Sequence, residues 1–484
     1  MTSPGKPAAS EQERWFAVAS GVVLLLAALP RLWAAWFDHG VFWPDEIYQS
    51  LEQAHRLVFG YGVVPWEFVR GARSWVFPGT IAGLLKLGSL LGLSSGQSLV
   101  LLVKTSMALV SLAGVYLAMR LARALAGNVA ALITALFAGF FAASILLGSR
   151  CLAETVSGPV VMGMVLIAAR PGRNAQLLAG AVAGLAIYLR YQNGLISVGL
   201  LAILVTDRRF RDAIYYACAC GVVGVLGGLL DWITWGQPFH AFKMYLWFNL
   251  YKSADKFGAY PFGYYAEVAW NISGPALIVV GVGFILGARL APKLVALVAG
   301  YVLIHSFVPH KELRFLMPVV PLALALSGAG LADAARRLRG GNTIAVLLAV
   351  GSAAWMGFAA TQLTWEKLGF PSDRGARSPW HSGEGINRLL WELGGREDVC
   401  GVIVSGESFG WIGGYSYFHR DVDMFPGEGA GEAERASANY WIAPASDVAP
   451  APYRVVTTER EFALLRRDGA CAEPPAGYQR RLPY

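Results

Sequence analysis

From residue 15 to residue 362 the chain alternates between apolar runs and short polar interruptions. This pattern constrains the fold more than any other feature. A run near 20 apolar residues can cross a bilayer as a helix, because hydrocarbon offers no partner to backbone N–H and C=O groups and each must be satisfied within the segment. The runs fall near 15–36, 98–119, 126–147, 155–169, 175–189, 192–206, 213–230, 271–288, 294–309, 315–335 and 343–362, about eleven spans. With 55% hydrophobic and only 15% charged residues, the expected fold class is an all-α polytopic membrane protein. The opening MTSPGKPAASEQER is polar, and the run after it lacks a small-residue exit for cleavage, so it is expected to stay as the first span.

Sidedness follows from the loops. Arg120 and Arg123, Arg170 and Arg173, Arg208, Arg209 and Arg211, Arg289 and Lys293, and Arg336, Arg337 and Arg339 occupy alternate interruptions, with Lys6 and Arg14 at the start. The positive-inside rule puts these in the cytoplasm. It also explains the net charge of +8 without invoking nucleic acid. The expected division is a cytoplasmic N-terminus over 1–14 and a membrane domain over 15–362 with outer loops 37–97 and 231–270. Residues 363–484 would form a small extracytoplasmic α/β domain, in which GINRLLWEL reads as a helix and CGVIVSG as a strand. Cys400 and Cys471 in that domain can pair or remain two thiols, while Cys218 and Cys220 lie inside an apolar run and read as packing residues.

Chemistry gathers in the outer loops. Pro44 suits the first position of a helix and Gly60 or Gly62 its end. Between them Ile47, Leu51, Ala54 and Val58 form one face, so the segment is expected to lie along the membrane surface. Asp45, Gln49 and Glu52 project from another face. Asp45 and Glu46 in the first turn suit a general base, or merely favour the helix start through its dipole. Arg70, Arg73, Arg150 and Arg190 on the same side suit a lipid phosphate, though arginines at a membrane edge also snorkel. The loop after Asp231 mixes Lys243, Asn249 and Tyr260 among aromatic rings, as an interfacial belt or a sugar groove would. A last cluster, His310, Lys311, Glu312 and Arg314, falls between two spans on the same side. There is no GxxxxGK[ST] loop, no strand-to-helix GxGxxG unit and no metal-ligand spacing.

These residues together resemble glycosyltransferase family 22, the GT-C mannosyltransferases that use lipid-phosphate mannose. HKELRF resembles that family's H-K-E-x-R-F signature, and PDEIYQSLEQAHRLVFGYG followed by WEF and ARSWVFP resembles its first-loop motif. DWITWGQPF and FNLYKSADKFGAYPFGYY are similar to its second loop. Where the family usually has T-W-E-W and Y-G, this chain has PWEF and WG, which leaves acceptor and sugar identity open. The resemblance implies inverting transfer of mannose from a polyprenyl-phosphate donor to a hydroxyl of a lipid-linked or cell-envelope glycan on the outer face.

On that basis Asp45 is the expected base, with Glu46 as the substitute. Arg73, Arg150, Arg190, His310, Lys311 and Arg314 are expected to meet the phosphate. Glu52, His55, Trp66, Glu67, Glu154, Asp231, Asn249, Tyr260 and Glu312 complete the expected substrate-binding set. The lipid-linked donor, a glycan or glycolipid acceptor and membrane lipids are the implied partners. No cofactor is firmly implied, and dependence on a divalent metal stays open. The short, Ala-, Gly-, Leu- and Arg-rich chain suggests a bacterial plasma membrane with the site facing the periplasm, with the endoplasmic reticulum and a lumenal site as the alternative. A transferase of another sugar or a lipid-linked-glycan ligase would share this architecture. A secondary transporter would instead place its charges at span midpoints and show related halves.

Overall fold

The computed structural model describes residues 11–251, 258–370 and 375–482. Lys6 at the start and residues 252–257 of the second outer loop motif lie outside the described residues. Four helices are long and apolar enough to cross a membrane, in Glu13–Phe37, Gly96–Phe140, Phe210–Trp235 and Gly341–Thr361. Shorter apolar helices pack among them, including Ala153–Ala168, Asn193–Thr206, Ala276–Gly287, Pro292–Phe307 and Val320–Ala335. Their outward residues are apolar and bare, with Leu25 70%, Ile285 71% and Ile233 83% exposed. A soluble protein does not display such a surface, whereas lipid covers it at no cost.

Several span boundaries differ from those read in the sequence. The 45-residue helix Gly96–Phe140 comprises two spans joined at a kink, where Ala126 and Gly127 leave helical geometry and Gly127 takes φ of +80°. A residue without Cβ adopts that left-handed backbone readily. The second of these spans stops at Phe141, whose ψ of 122° breaks the helix, and a buried turn Ala142–Leu147 continues it. Inside the first outer loop the structure adds the apolar helix Val76–Leu90, which alternates with polar sequence too closely to stand out as a span.

At the C-terminus a five-stranded sheet in the order β2-β1-β3-β5-β4 is built from β1 (Val402–Val404), β2 (Met424–Pro426), β3 (Tyr440–Pro444), β4 (Arg454–Glu459) and β5 (Phe462–Arg466). β1 runs parallel to β2 and β3, and β5 pairs antiparallel with β3 and β4. The helix Glu384–Gly394 packs beside the sheet, and a disulfide joins Cys400 to Cys471.

The sheet unit shares a hydrophobic core with the first loop. Ile47, Tyr48, Leu51 and Ala54 are buried with Ile386, Leu390, Val402, Tyr415 and Phe418 in one cluster. The first-loop segment is therefore helical but does not lie on lipid. Its apolar face packs between the sheet unit and the helices that follow it. Hydrogen bonds seal the contact: Val41 N donates to Ser382 O at 2.8 Å, and the Asn387 amide donates to His39 O at 2.7 Å.

Candidate active site

The first-loop segment starts as Pro44–Glu46, widens into a π turn over Ile47–Leu51, and resumes as Glu52–Phe59, closed by Gly60 with φ of +89°. A π turn inserts one residue and shifts the phase of everything beyond it. Asp45 and Gln49 precede or lie within that shift and face a cavity of about 140 Å³. Glu52 lies past it and turns away, into the contact with the sheet unit. There its carboxylate accepts from the backbone N–H of Val63, Tyr415 and Ser416 at 2.9, 3.1 and 2.8 Å.

Five chain segments wall the cavity. The first loop supplies Trp43, Asp45 and Gln49, and the next stretch supplies Trp66, Glu67 and Arg73. Arg190 and Gln192 come from the turn between the helices Arg173–Leu189 and Asn193–Thr206. Helix His240–Tyr251 contributes Tyr245, Phe248 and Asn249, and the last cluster contributes His310, Glu312, Arg314 and Phe315. A smaller pocket of about 40 Å³ shares Asp45, Arg73, Arg190 and Arg314 and adds Glu154 and Tyr191.

Arg314 organises the charges. Its guanidinium pairs with Asp45 at 2.7 Å and Glu312 at 2.5 Å, approaches Glu154 at 3.6 Å, and lies 5.5 Å from the Trp43 ring centre. Glu154 also takes Arg190 at 2.9 Å. Burial alone would raise Glu312, but Arg314 and the hydrogen bond from His310 overcome it and hold the carboxyl at about 2. Glu67 has weaker support. The Gln49 amide donates to it at 2.7 Å, and burial, helped by Asp45, pushes it up to about 7 against the pull of Arg73.

Of the residues singled out in the sequence, the cavity gathers Asp45, Trp66, Glu67, Arg73, Arg190, Asn249, His310, Glu312 and Arg314, with Glu154 in the adjoining pocket. The others stand elsewhere. Glu46 is buried, accepts from Phe42 N at 2.5 Å and faces Arg150 at 3.5 Å, so it points away from the cavity beside its neighbour Asp45. Arg150 is spent on Asp38, Glu46 and the Gly40 carbonyl. His55 bonds His419 of the sheet unit at 2.9 Å. Asp231 accepts from Ala241 N at 2.9 Å and so caps helix His240–Tyr251. Lys311 is buried and donates to the carbonyls of Tyr260 and Val308 at 2.8 and 2.6 Å, which pins the loop but does not reach the cavity. Tyr260 joins through that carbonyl, its ring tilted against Tyr264 with centres 4.6 Å apart.

Sequence reasoning missed Trp43, Gln192, Tyr245, Phe248 and Phe315 as cavity residues. Tyr245, Phe248 and Asn249 stand at i, i+3 and i+4, a helical face that the many rings of that loop conceal.

Among the described residues one trio has metal-like proximity, Asp38, His381 and Glu384. Cations already fill it: Arg150 pairs with Asp38, while Arg388 and Arg460 meet Glu384 at 2.7 and 3.1 Å. A divalent ion would meet these guanidiniums, so the donor set does not suit one.

The cavity thus presents the carboxylates of Asp45, Glu67 and Glu312 beside three arginines, Arg73, Arg190 and Arg314. Such a set can draw in an anionic group and activate a hydroxyl against it.

Residues 22–364 match the profile of the Alg9-like mannosyltransferase family. Mannosyltransferase APTG1 of Arabidopsis thaliana is 31% identical over 303 residues, covering 59% of this chain and 54% of that protein. GPI mannosyltransferase 3 of Yarrowia lipolytica is 29% identical over 334 residues, covering 66% and 63% respectively. The chain thus spans between half and two thirds of the length of these curated relatives. In structure it resembles ArnT from Cupriavidus metallidurans bound to undecaprenyl phosphate, with a TM-score of 0.60 at 14% identity over 96% of this chain and 100% of that one. It also resembles the archaeal oligosaccharyltransferase AglB from Archaeoglobus fulgidus, with a TM-score of 0.54 at 13% identity over 90% and 70%. The fold is of the GT-C type, all-α and polytopic with a small C-terminal α/β domain, and the chain is an integral membrane protein.

Proposed function

The chain belongs to the Alg9-like mannosyltransferase family, and from that premise we propose that it transfers mannose from a polyprenyl-phosphate donor to a hydroxyl of a lipid-linked or cell-envelope glycan, with inversion. The observation that carries this reading is the convergence of Asp45 with Arg73, Arg190 and Arg314 on one cavity. The names of the relatives, GPI mannosyltransferases among them, support mannose as the sugar.

In this reading the donor phosphate enters among the arginines and competes with Asp45 for Arg314, which otherwise pairs with that carboxylate at 2.7 Å. Asp45, released, takes the proton of the acceptor hydroxyl. The acceptor oxygen bonds to the anomeric carbon from the face opposite the phosphate, and the bond from that carbon to the phosphate oxygen breaks. The electron pair leaves with the polyprenyl phosphate, whose growing charge the arginines offset. Phosphate leaves without being protonated, so one carboxylate suffices where a glycosidase needs two. Trp66 and Phe248, with ring centres 4.7 Å apart, and the polar Gln49, Glu67 and Asn249 offer a surface for sugar rings and hydroxyls.

We assign the site to the extracytoplasmic face of a bacterial plasma membrane, or to the lumenal face of the endoplasmic reticulum. The basic interruptions at the opposite end of the bundle support that orientation. The reading is tested by Asp45→Asn in purified protein supplied with polyprenyl-phosphate mannose. Turnover should fall by roughly 10²–10⁴, as for loss of a general base, in protein that still elutes as a folded, discrete species. Turnover within about threefold of the parent would remove Asp45 from that role.

A further inference from the structure

A cavity larger than the arginine-lined one lies at the other end of the bundle. A chamber of about 860 Å³, within the roughly 300–1,000 Å³ typical of small-ligand sites, opens between the ends of several spans. Helix Asn193–Thr206 starts beside Gln192 in the arginine-lined site and ends in this chamber at Leu204. Its 14 residues separate the two by roughly 20 Å at ~1.5 Å per residue.

The chamber is two-toned. Its walls are apolar, with Leu117, Leu121, Leu166, Leu200, Ile203 and Leu294 from different helices. Its rim carries Arg120, Arg170, Arg209 and Lys293, with Asp207 as the rim's acid. Lys293 pairs with Asp207, and Arg209 with Asp212 at 2.7 Å. Arg120 lies against the Tyr116 ring and donates to its hydroxyl at 3.1 Å. Among the described residues no acid bonds Arg120 or Arg170, so two cations remain uncompensated over an apolar chamber.

Gly163 is a separate observation pointing the same way. It lies inside helix Ala153–Ala168, lines the chamber, and a Cβ built on it would meet nothing within 4 Å. Glycine weakens a helix interior, and here no neighbouring atom demands it. Its missing side chain leaves room that belongs to the chamber.

We propose that this chamber binds one anionic phospholipid, its acyl chains against the leucine walls and its phosphate on Arg120 and Arg170. Apolar walls under an uncompensated basic rim match an amphiphile with a negative head, and basic pockets between spans are where anionic head groups bind. A polyprenyl-phosphate donor does not fit both ends at once, because its phosphate belongs with the reacting sugar at the far site. Setting that donor aside as the occupant rests on the proposed function, whereas the apolar walls and the basic rim do not depend on it.

The test is native mass spectrometry of delipidated full-length protein in detergent, offered equal amounts of palmitoyl-oleoyl phosphatidylglycerol and phosphatidylcholine. The protein should retain phosphatidylglycerol at least fivefold over phosphatidylcholine. Arg120→Ala with Arg170→Ala should bring the two to parity, and Gly163→Phe, filling the chamber, should cut retention of both with no drop in unfolding temperature. Equal retention of the two lipids by the parent protein overturns the proposal. So does unchanged retention in Gly163→Phe, or a second copy of the chain occupying the face, seen as a dimer mass. If Gly163→Phe fails to fold, parent and double-arginine variant decide the matter by themselves.

Discussion

Glu67 holds a buried carboxyl with one amide donor, Gln49, and burial pushes it up to about 7 from an ordinary 4.5. The sign of its effect on stability follows. Above 4.5 the unfolded chain loses this proton while the folded chain keeps it, so stability is complete below 4.5 and is lost as pH rises towards 7. At about 1.4 kcal/mol for each pH unit between those two values, the full effect is at most about 3–4 kcal/mol. Glu67→Gln should therefore raise the unfolding temperature at about pH 8, where the folded carboxyl is ionised, and leave it unchanged near pH 4.5. An equal effect at both values contradicts the assignment. Arg150 shows the converse case. It is 1% exposed and bridges Asp38 and Glu46, so Arg150→Met leaves two buried carboxylates without their cation and should cost roughly 3–5 kcal/mol. Calorimetric unfolding in detergent measures that loss. Both residues were visible in the sequence as candidates for binding substrate. Whether an arginine meets a ligand or a neighbouring acid depends on which groups lie within about 3 Å, and chain order does not carry that information.

At the scale of elements, one short helix brings much of the aromatic wall to the cavity. His240–Tyr251 carries Tyr245, Phe248 and Asn249, and its start is held by Asp231, which belongs to the preceding helix Phe210–Trp235. Asp231→Ala removes that cap, at a cost of roughly 0.5–2 kcal/mol. Because the helix positions cavity residues, the variant should raise KM for the donor more than it lowers kcat. A fall in kcat with KM unchanged would show that the helix does not position the donor. The π turn over Ile47–Leu51 is the other decisive element. Regular helical spacing placed Asp45, Gln49 and Glu52 on one face, and the inserted residue sends Glu52 to the sheet unit instead. Propensity rules for ordinary helices do not register such a turn. The long apolar spans were legible because their signal is a simple sum over many residues. Their breaks at Gly127 and Phe141 depend on the dihedrals of single residues.

At the scale of the molecule, the sheet unit and the helices are joined more closely than a boundary near residue 363 suggests. The first-loop helix buries its apolar face against Ile386, Leu390, Val402 and Phe418, and Glu52 is satisfied by Tyr415 and Ser416. A chain ending after residue 370 would expose that face and leave the Glu52 carboxylate with one of its three backbone donors, Val63. It should extract from membranes as aggregate, eluting in the void volume of a sizing column, whereas the full chain elutes as a discrete species. A monodisperse, active truncation would show that the shared core is dispensable. By itself the sequence determined that the chain crosses a membrane many times, that acids and arginines collect in the loops of one side, and which family those loops resemble. These properties are written in composition and in motifs that are contiguous along the chain. Only the tertiary structure decided that Asp45 faces the cavity while Glu46 does not, that Arg314 holds it while Arg150 and Lys311 serve the scaffold, and that the C-terminal unit shares the first loop's core. Each of these depends on the phase of a helix and on partners brought within hydrogen-bond distance from remote parts of the chain.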